Sequence, residues 1–244
     1  MLILGHRGAA GPSHPENTLA AVERALRAGA DGVEVDVRRT ADGVLVCSHD
    51  AGLRRTAGLS REVASMTAAE VAGVRMAGHP LPRLDEIIDL VGDRGRLVVE
   101  MKTSPWPAGG ASVTAAAIIR RFSSPTPCEV VVSSFDRPRL LQVRQAGLPV
   151  QTALLSRPGV PLVVALRRAL QDGHPQAHVH GLSLLNPASL IGRARQLGLT
   201  VTGWTVDRPS QLHRLAAAGV EAVICDEPGA AQACLRAVRL QQAS

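Results

Sequence analysis

Four short motifs in this 244-residue chain carry residue types that do chemistry: His6-Arg7-Gly8, Glu34-Val35-Asp36, His49-Asp50 and Glu100-Met101-Lys102. Residues i and i+2 of a strand project to one side. Glu34 and Asp36 therefore present two carboxylates together, and Glu100 and Lys102 present a carboxylate beside an ammonium. Both pairs are embedded in apolar runs, Val33, Val35 and Val37 around the first and Leu97, Val98 and Val99 before the second. A carboxylate in such a setting must be ion-paired, hydrogen-bonded or metal-bound. Glu34, Asp36 and Glu100 would repel one another unless a cation sat between them, and oxygen-only donors suit Mg²⁺ or Ca²⁺ rather than zinc. His6 and His49 titrate near neutrality and can trade the roles of acid and base. Arg7 and Lys102 add fixed positive charge. A divalent cation, two basic side chains and two imidazoles around one cavity make a site for a phosphate ester.

These motifs need elements that bring them together. β-branched runs alternate with Ala/Leu/Arg-rich helical stretches along the chain, the pattern of an α/β fold with a parallel sheet. Strands are expected at 2–5, 32–37, 96–102, 129–134, 150–154, 179–184, 200–205 and 222–225. Helices are expected at 18–28, 84–91, 112–122, 138–146, 161–170, 187–197, 208–218 and after Pro228. Eight strand-helix units in this length predict a (β/α)8 TIM barrel, with a doubly wound sheet as the competing arrangement. In a barrel the strand C-termini carry the site, and the motifs fall there. After the second strand, Thr40-Ala41-Asp42-Gly43 signals a turn and Val44 to Ser48 reads as extended. Six residues cannot hold a crossover helix, so this run must return as a hairpin arm that delivers His49 to the mouth. Residues 51–83 read as a small insertion, with one helical patch at 67–75, in an otherwise single-barrel chain of 1–244.

With those residues in place, the chain resembles the glycerophosphodiester phosphodiesterases. The resemblance rests on His6-Arg7-Gly8, Pro15-Glu16-Asn17-Thr18, Gly29-Ala30-Asp31, Glu34-x-Asp36-Val37, Thr40-x-Asp42-Gly43 and His49-Asp50. It continues through Glu100-x-Lys102, Ser134-Phe135, Trp204-Thr205-Val206 and Cys225-Asp226-x-Pro228. It implies a metal-dependent TIM-barrel hydrolase that converts glycerophosphodiesters to an alcohol and glycerol 3-phosphate. By motif, His6 and His49 are its acid/base pair, Glu34, Asp36 and Glu100 hold Mg²⁺ or Ca²⁺, and Arg7 and Lys102 hold the phosphate. The implied mechanism uses the substrate's own 2-hydroxyl as nucleophile and passes through a cyclic phosphate that water opens. The alternative on the same barrel is a phospholipase of the lysophospholipase D or phosphoinositide type; a barrel that only binds ligands would be expected to have lost one of the five catalytic and metal residues. Cys225, Asp207 and Arg54 depart from the usual pattern without removing a catalytic group.

Among the remaining signals, Trp204 lies at the end of the seventh strand and Phe135 just beyond the fourth, in a chain with only two Phe, two Trp and no Tyr, and both are expected to wall the cavity against the substrate. Asn17 and Glu16 are candidates for a site role, with a helix N-cap as the plainer reading of that motif. His174, His178 and His180 have metal-like spacing, but read as a solvated loop. The four cysteines show no metal spacing and read as buried small side chains. A net charge of +6 and a pI near 10.3 could suggest nucleic acid. Yet the 26 arginines are scattered, pairs such as Arg38-Arg39 read as solvated faces, and there are few aromatics for base stacking. No nucleic-acid partner, no stable membrane anchoring and a cytoplasmic location are expected, and nothing at the N-terminus reads as a leader.

Overall fold

The computed structural model describes residues 1–103, 110–184 and 188–242. Eight parallel strands close into a barrel: β1 (Leu2–Gly5), β2 (Gly32–Arg39), β3 (Arg96–Met101), β4 (Val130–Ser134), β5 (Gln151–Leu155), β6 (Gln176–His180), β7 (Thr200–Trp204) and β8 (Ala222–Cys225). Each pairs with the next, and β1 closes the ring by pairing with both β8 (Gly5 opposite Cys225) and β2 (Gly5 opposite Val33). The connecting helices are α1 (Leu19–Arg27), α2 (Leu84–Val91), α3 (Gly110–Arg121), α4 (Arg137–Gln145), α5 (Leu162–Gln171), α6 (Ala188–Gln196), α7 (Pro209–Ala217) and α8 (Pro228–Gln242). This is the TIM barrel expected from the alternation of elements, and the doubly wound sheet is set aside. The expected helix start at Pro187 lies outside the described residues.

Local sequence explains the elements. Leu84, Ile87, Ile88 and Val91 are spaced i, i+3, i+4, i+7 on α2, and all four are buried against the sheet. Thr18 caps α1, accepting from the Ala21 amide at 3.2 Å. On the strands, alternation sorts side chains into two layers. Val33, Val35, Val37, Leu97, Val99, Val130 and Val132 face outward and join the large core shared with the helices. Leu4, Val98, Val131, Ala153, Ala222 and Ile224 face inward and plug the barrel. The same parity turns Glu34, Asp36 and Glu100 inward, above that plug.

The excursion after β2 begins as a hairpin. Leu45–Cys47 pairs antiparallel with β2, Cys47 opposite Val37. The turn is set by the Thr40 hydroxyl, which donates to the Asp42 carboxylate at 2.6 Å, with Gly43 at φ 96°. The Ser48 amide then donates to the Asp36 carbonyl at 2.9 Å, so the arm ends with His49 at the barrel mouth. Within 51–83, Leu53, Val63, Met66, Val71, Val74 and Met76 form a small core against Val46. The helical patch expected at 67–75 is shorter, Ala68–Ala72, because a Thr67–Glu70 capping box starts it and Gly73 ends it; Arg75–Met76 then turns into a two-residue ladder with His79–Pro80.

One strand differs from expectation. The sequence places it at 179–184, whereas β6 spans Gln176–His180 and a 3₁₀ turn follows at Gly181–Ser183. Gln176 and His178 face the barrel interior, and their polarity breaks the apolar pattern and disguises the strand. The solvated-loop reading of 174–180 is therefore corrected: His174 and His178 are buried, at 2% and 1% exposure.

Candidate functional site

The mouth of the barrel holds a cavity of about 130 Å³ lined by His6, Arg7, Glu34, His49, Glu100, Lys102, Phe135 and Trp204, with Ser133 and His178 among the remaining wall. Asp36 lies directly behind, 1% exposed. All nine residues singled out from the sequence thus converge, supplied by the C-terminal ends of β1, β2, β3, β4 and β7 and by the hairpin arm.

The carboxylates are the centre. Ligand oxygens of Glu34, Asp36 and Glu100 all lie within 4.8 Å of one another. Adjacent strand register brings them together, Asp36 standing opposite Glu100. Lys102 bridges two of them, with Nζ 2.9 Å from Asp36 Oδ1 and 2.6 Å from Glu100 Oε1. Arg7 Nε stands 3.2 Å from Asp36 Oδ2. Burial alone would push Asp36 upward, but Lys102 and Arg7 hold its carboxyl below the usual range. Glu34 has no comparable cation: burial, reinforced by the Asp36 charge, pushes it up to about 8. Burial likewise raises Glu100. An oxygen-only cluster with one carboxylate left without a close cation in the buried interior could hold a hard divalent cation.

Each imidazole is held by a carboxylate. His6 Nδ1 is 2.7 Å from Asp226 Oδ1, and His49 Nδ1 is 2.7 Å from Asp50 Oδ1. Both rings therefore offer Nε2 as the free reactive nitrogen. Their environments differ. Burial pulls the His6 pKa down, but the Asp226 hydrogen bond and the Glu34 charge more than offset this and raise it; burial lowers His49 despite Asp50.

Backbone geometry at the site is unusual. Arg7 (φ 52°) and Asn17 (φ 60°) are left-handed non-glycine residues, and both touch Asp36. Gly8 follows at φ 82°, where a Cβ would come within 2.5 Å of the Ala21 backbone; only glycine lets α1 lie this close. The tight turn aims the Arg7 amide at Glu34 Oε2, 3.0 Å away.

Several supporting residues were not among those singled out. Asp226 comes from the far end of the chain and is brought beside His6 by the β1–β8 register. Asp50 follows His49 directly, and the His49-Asp50 motif is its signal in the sequence. Arg55 donates to both Asp50 (2.6 Å) and Glu16 (2.6 Å), and Glu16 receives Arg7 (3.0 Å), so one ion-pair chain ties His49 to Arg7. Glu16 and Asn17 thus support the site, while Thr18 is the N-cap. Arg38, expected on a solvated face, is half-buried and donates from Nε and Nη2 to the His49 carbonyl at 3.0 and 2.7 Å. Phe135 and Trp204 pack edge to face, centroids 5.5 Å apart. The buried Trp204 Nε1 has no hydrogen-bond partner among the described residues.

A closed (β/α)8 barrel with acidic, basic and imidazole side chains gathered at its strand C-termini defines a TIM-barrel enzyme. The particular family follows from comparison with known proteins: a family model, the glycerophosphoryl diester phosphodiesterase family, matches residues 6–230, and the chain belongs to it. A glycerophosphodiester phosphodiesterase of Caldanaerobacter subterraneus subsp. tengcongensis is 32% identical over 93% of this chain and 94% of its own. Among solved structures, the glycerophosphodiester phosphodiesterase of Thermotoga maritima superposes with a TM-score of 0.78 at 25% identity, covering 94% of this chain and 96% of that one. A phosphodiesterase of Oleispira antarctica, solved with the product sn-glycerol-3-phosphate, has the same fold, with a TM-score of 0.83 at 24% identity over 97% of each chain.

Proposed function

We propose that this protein hydrolyses glycerophosphodiesters to an alcohol and glycerol 3-phosphate, using a divalent cation and two histidines. The observation that carries this reading is the convergence of His6, His49, Arg7, Lys102, Glu34 and Glu100 on one small cavity, with Asp36 behind them. Glu34, Asp36 and Glu100 would hold Mg²⁺ or Ca²⁺, which when bound neutralises charge on the phosphoryl oxygens. Lys102 spends two of its three N–H donors on Asp36 and Glu100, leaving the third for a phosphate oxygen. Arg7 faces the same cavity with its guanidinium.

The two histidines divide the proton work. His49, the ring whose pKa is lowered, is neutral near pH 7 and takes the proton of the glycerol 2-hydroxyl as that oxygen attacks phosphorus. His6, whose protonated form Asp226 favours, gives its proton to the departing alcohol oxygen as the P–O bond breaks. In the second half the roles reverse: neutral His6 takes a proton from water as it attacks the cyclic phosphate, and His49 returns its proton to the 2-oxygen. Protons balance over the cycle. An internal nucleophile, already tethered, avoids most of the entropy of recruiting water first. That the Oleispira neighbour binds glycerol 3-phosphate agrees with this product.

The cavity, about 130 Å³ and lined by His6, His49, Arg7, Lys102, Glu34 and Glu100, suits a small water-soluble diester better than a lysolipid. Among the described residues no helix is long and apolar enough to cross a membrane. The test is release of glycerol 3-phosphate from glycerophosphoglycerol, with and without Mg²⁺ or Ca²⁺, by wild type and His49→Ala. Metal-dependent release lost in the variant is expected. Release that ignores chelators, or turnover of lysolipids alone, would overturn the reading.

A further inference from the structure

Beside the mouth cavity lies a second recess of about 130 Å³, and Phe135 and Leu155 line both. Three arginines border it, Arg137 at the start of α4, Arg157 after β5 and Arg168 on α5, and no acidic residue is among its described lining. Arg137 is neutralised by Asp172, its Nη2 2.7 Å from Oδ1. Arg157 and Arg168 form no ion pair among the described residues, and both are exposed to solvent. The Arg157 guanidinium sits 5.2 Å from the centroid of the Phe135 ring, so the aromatic face that could receive a quaternary ammonium already carries a cation. Inside the recess Ser156 is 7% exposed and its Oγ has no hydrogen-bond partner among the described residues. A buried hydroxyl left unsatisfied points to a polar ligand group that completes it.

Resting on the function proposed above, we infer that this recess is the subsite for the alcohol part of the diester, and that it selects an alcohol bearing a second anionic group, a phosphate monoester, over a quaternary ammonium. Arg157 and Arg168 supply charge-assisted donors for that group and Ser156 supplies a hydroxyl. The shared Phe135–Leu155 wall places the subsite next to the reacting phosphorus, where a leaving alcohol would extend. A trimethylammonium group would meet unpaired positive charge here, and repulsion of this kind discriminates as strongly as attraction does.

The test compares kcat/KM of wild type, Arg168→Gln and Arg157→Gln/Arg168→Gln on glycerophosphocholine, glycerophosphoglycerol and glycerophosphoinositol 4-phosphate. The expected order for wild type is anionic above neutral above cationic. Each arginine removed should lower the rate on the anionic substrate on the order of tenfold, a larger loss than on glycerophosphoglycerol. A wild type that prefers the choline diester, or a substrate ranking unmoved in the double variant, would overturn the inference. If none of the three diesters is hydrolysed, the proposed function fails, and calorimetric binding of glycerophosphoinositol 4-phosphate decides the subsite. Affinity lost in the double variant supports it; equal affinity, or no binding to wild type, overturns it.

Discussion

Asn17 and Asp36 exchange two hydrogen bonds: the Asn17 amide donates to Asp36 Oδ2 at 2.8 Å, and the Asp36 backbone N–H donates to Asn17 Oδ1 at 2.9 Å. Both residues are buried, and Asn17 adopts a left-handed backbone to make the pair. Asparagine tolerates that conformation better than other side-chain-bearing residues. Asn17→Ala removes both bonds, leaves the buried Asp36 N–H unpaired and places alanine at positive φ. We expect a loss of about 2–4 kcal/mol in urea unfolding. Asn17→Gly loses the bonds without the backbone strain and should fall between the two. Divalent-cation affinity, read by calorimetry, should drop on the order of tenfold in either variant, because Asp36 loses its orientation. Unchanged affinity would remove Asn17 from the support of the carboxylate cluster.

The lone lysine of the chain occupies the place a cation must fill when the carboxylates are otherwise unshielded. Lys102→Met deletes the bridge between Asp36 and Glu100, leaving Glu100 without its cation and Asp36 with Arg7 alone, which costs about 3–5 kcal/mol in metal-free protein. Mg²⁺ or Ca²⁺ should then raise the Tm of the variant more than that of wild type, since the ion replaces lost positive charge. Turnover should stay low even in saturating metal, because the phosphate has lost its ammonium partner. Equal metal-induced Tm shifts in the two proteins would count against a cation among these carboxylates.

Much of this site is legible in sequence because strand parity is simple: Glu34, Asp36, Glu100 and Lys102 follow from a two-residue period inside apolar runs. The bounds of β1, β8 and α2 are likewise read directly, from short β-branched runs and an i, i+3, i+4, i+7 stripe. What escapes is long-range or conformational. Asp226 lies 220 residues from His6, and only barrel closure brings them together. The left-handed backbones of Arg7 and Asn17 have no glycine to announce them. β6 is misplaced because Gln176, His178 and His180 break the apolar pattern by facing inward, and Arg38 looks like surface because its role is to hold a backbone carbonyl.

The Asp226 carboxylate should set one edge of the pH profile. His6 is raised and His49 lowered from 6.5, so between the two values His6 is charged while His49 is neutral. kcat/KM should fall at low pH as His49 gains a proton, and at high pH as His6 loses one. Asp226→Asn removes the main upward influence on His6, so the alkaline limb should move down by roughly one pH unit while the acid limb stays. An alkaline limb that does not move would separate His6 from the proton donor of the first step.

His178 should make the fold acid-sensitive. It is fully buried inside the barrel, its Nδ1 has no partner among the described residues and its Nε2 is 3.4 Å from Gln176 Oε1; burial drives its pKa down to about 3. Above pH 6.5 the ring is neutral in both folded and unfolded chains and contributes no pH dependence. Below 6.5 the unfolded chain takes up a proton that the folded protein refuses, so stability falls as pH drops toward 3, at about 1.4 kcal/mol per pH unit for one group. His178→Leu fills similar space without a titrating nitrogen. The difference in unfolding free energy between wild type and variant, measured by urea titration, should be constant above pH 7.5 and shift in favour of the variant by about 1.4 kcal/mol per unit between pH 6 and 4. A difference that stays constant over that range would mean that His178 takes up its proton inside the folded barrel, with water or a neighbouring acceptor reaching the ring.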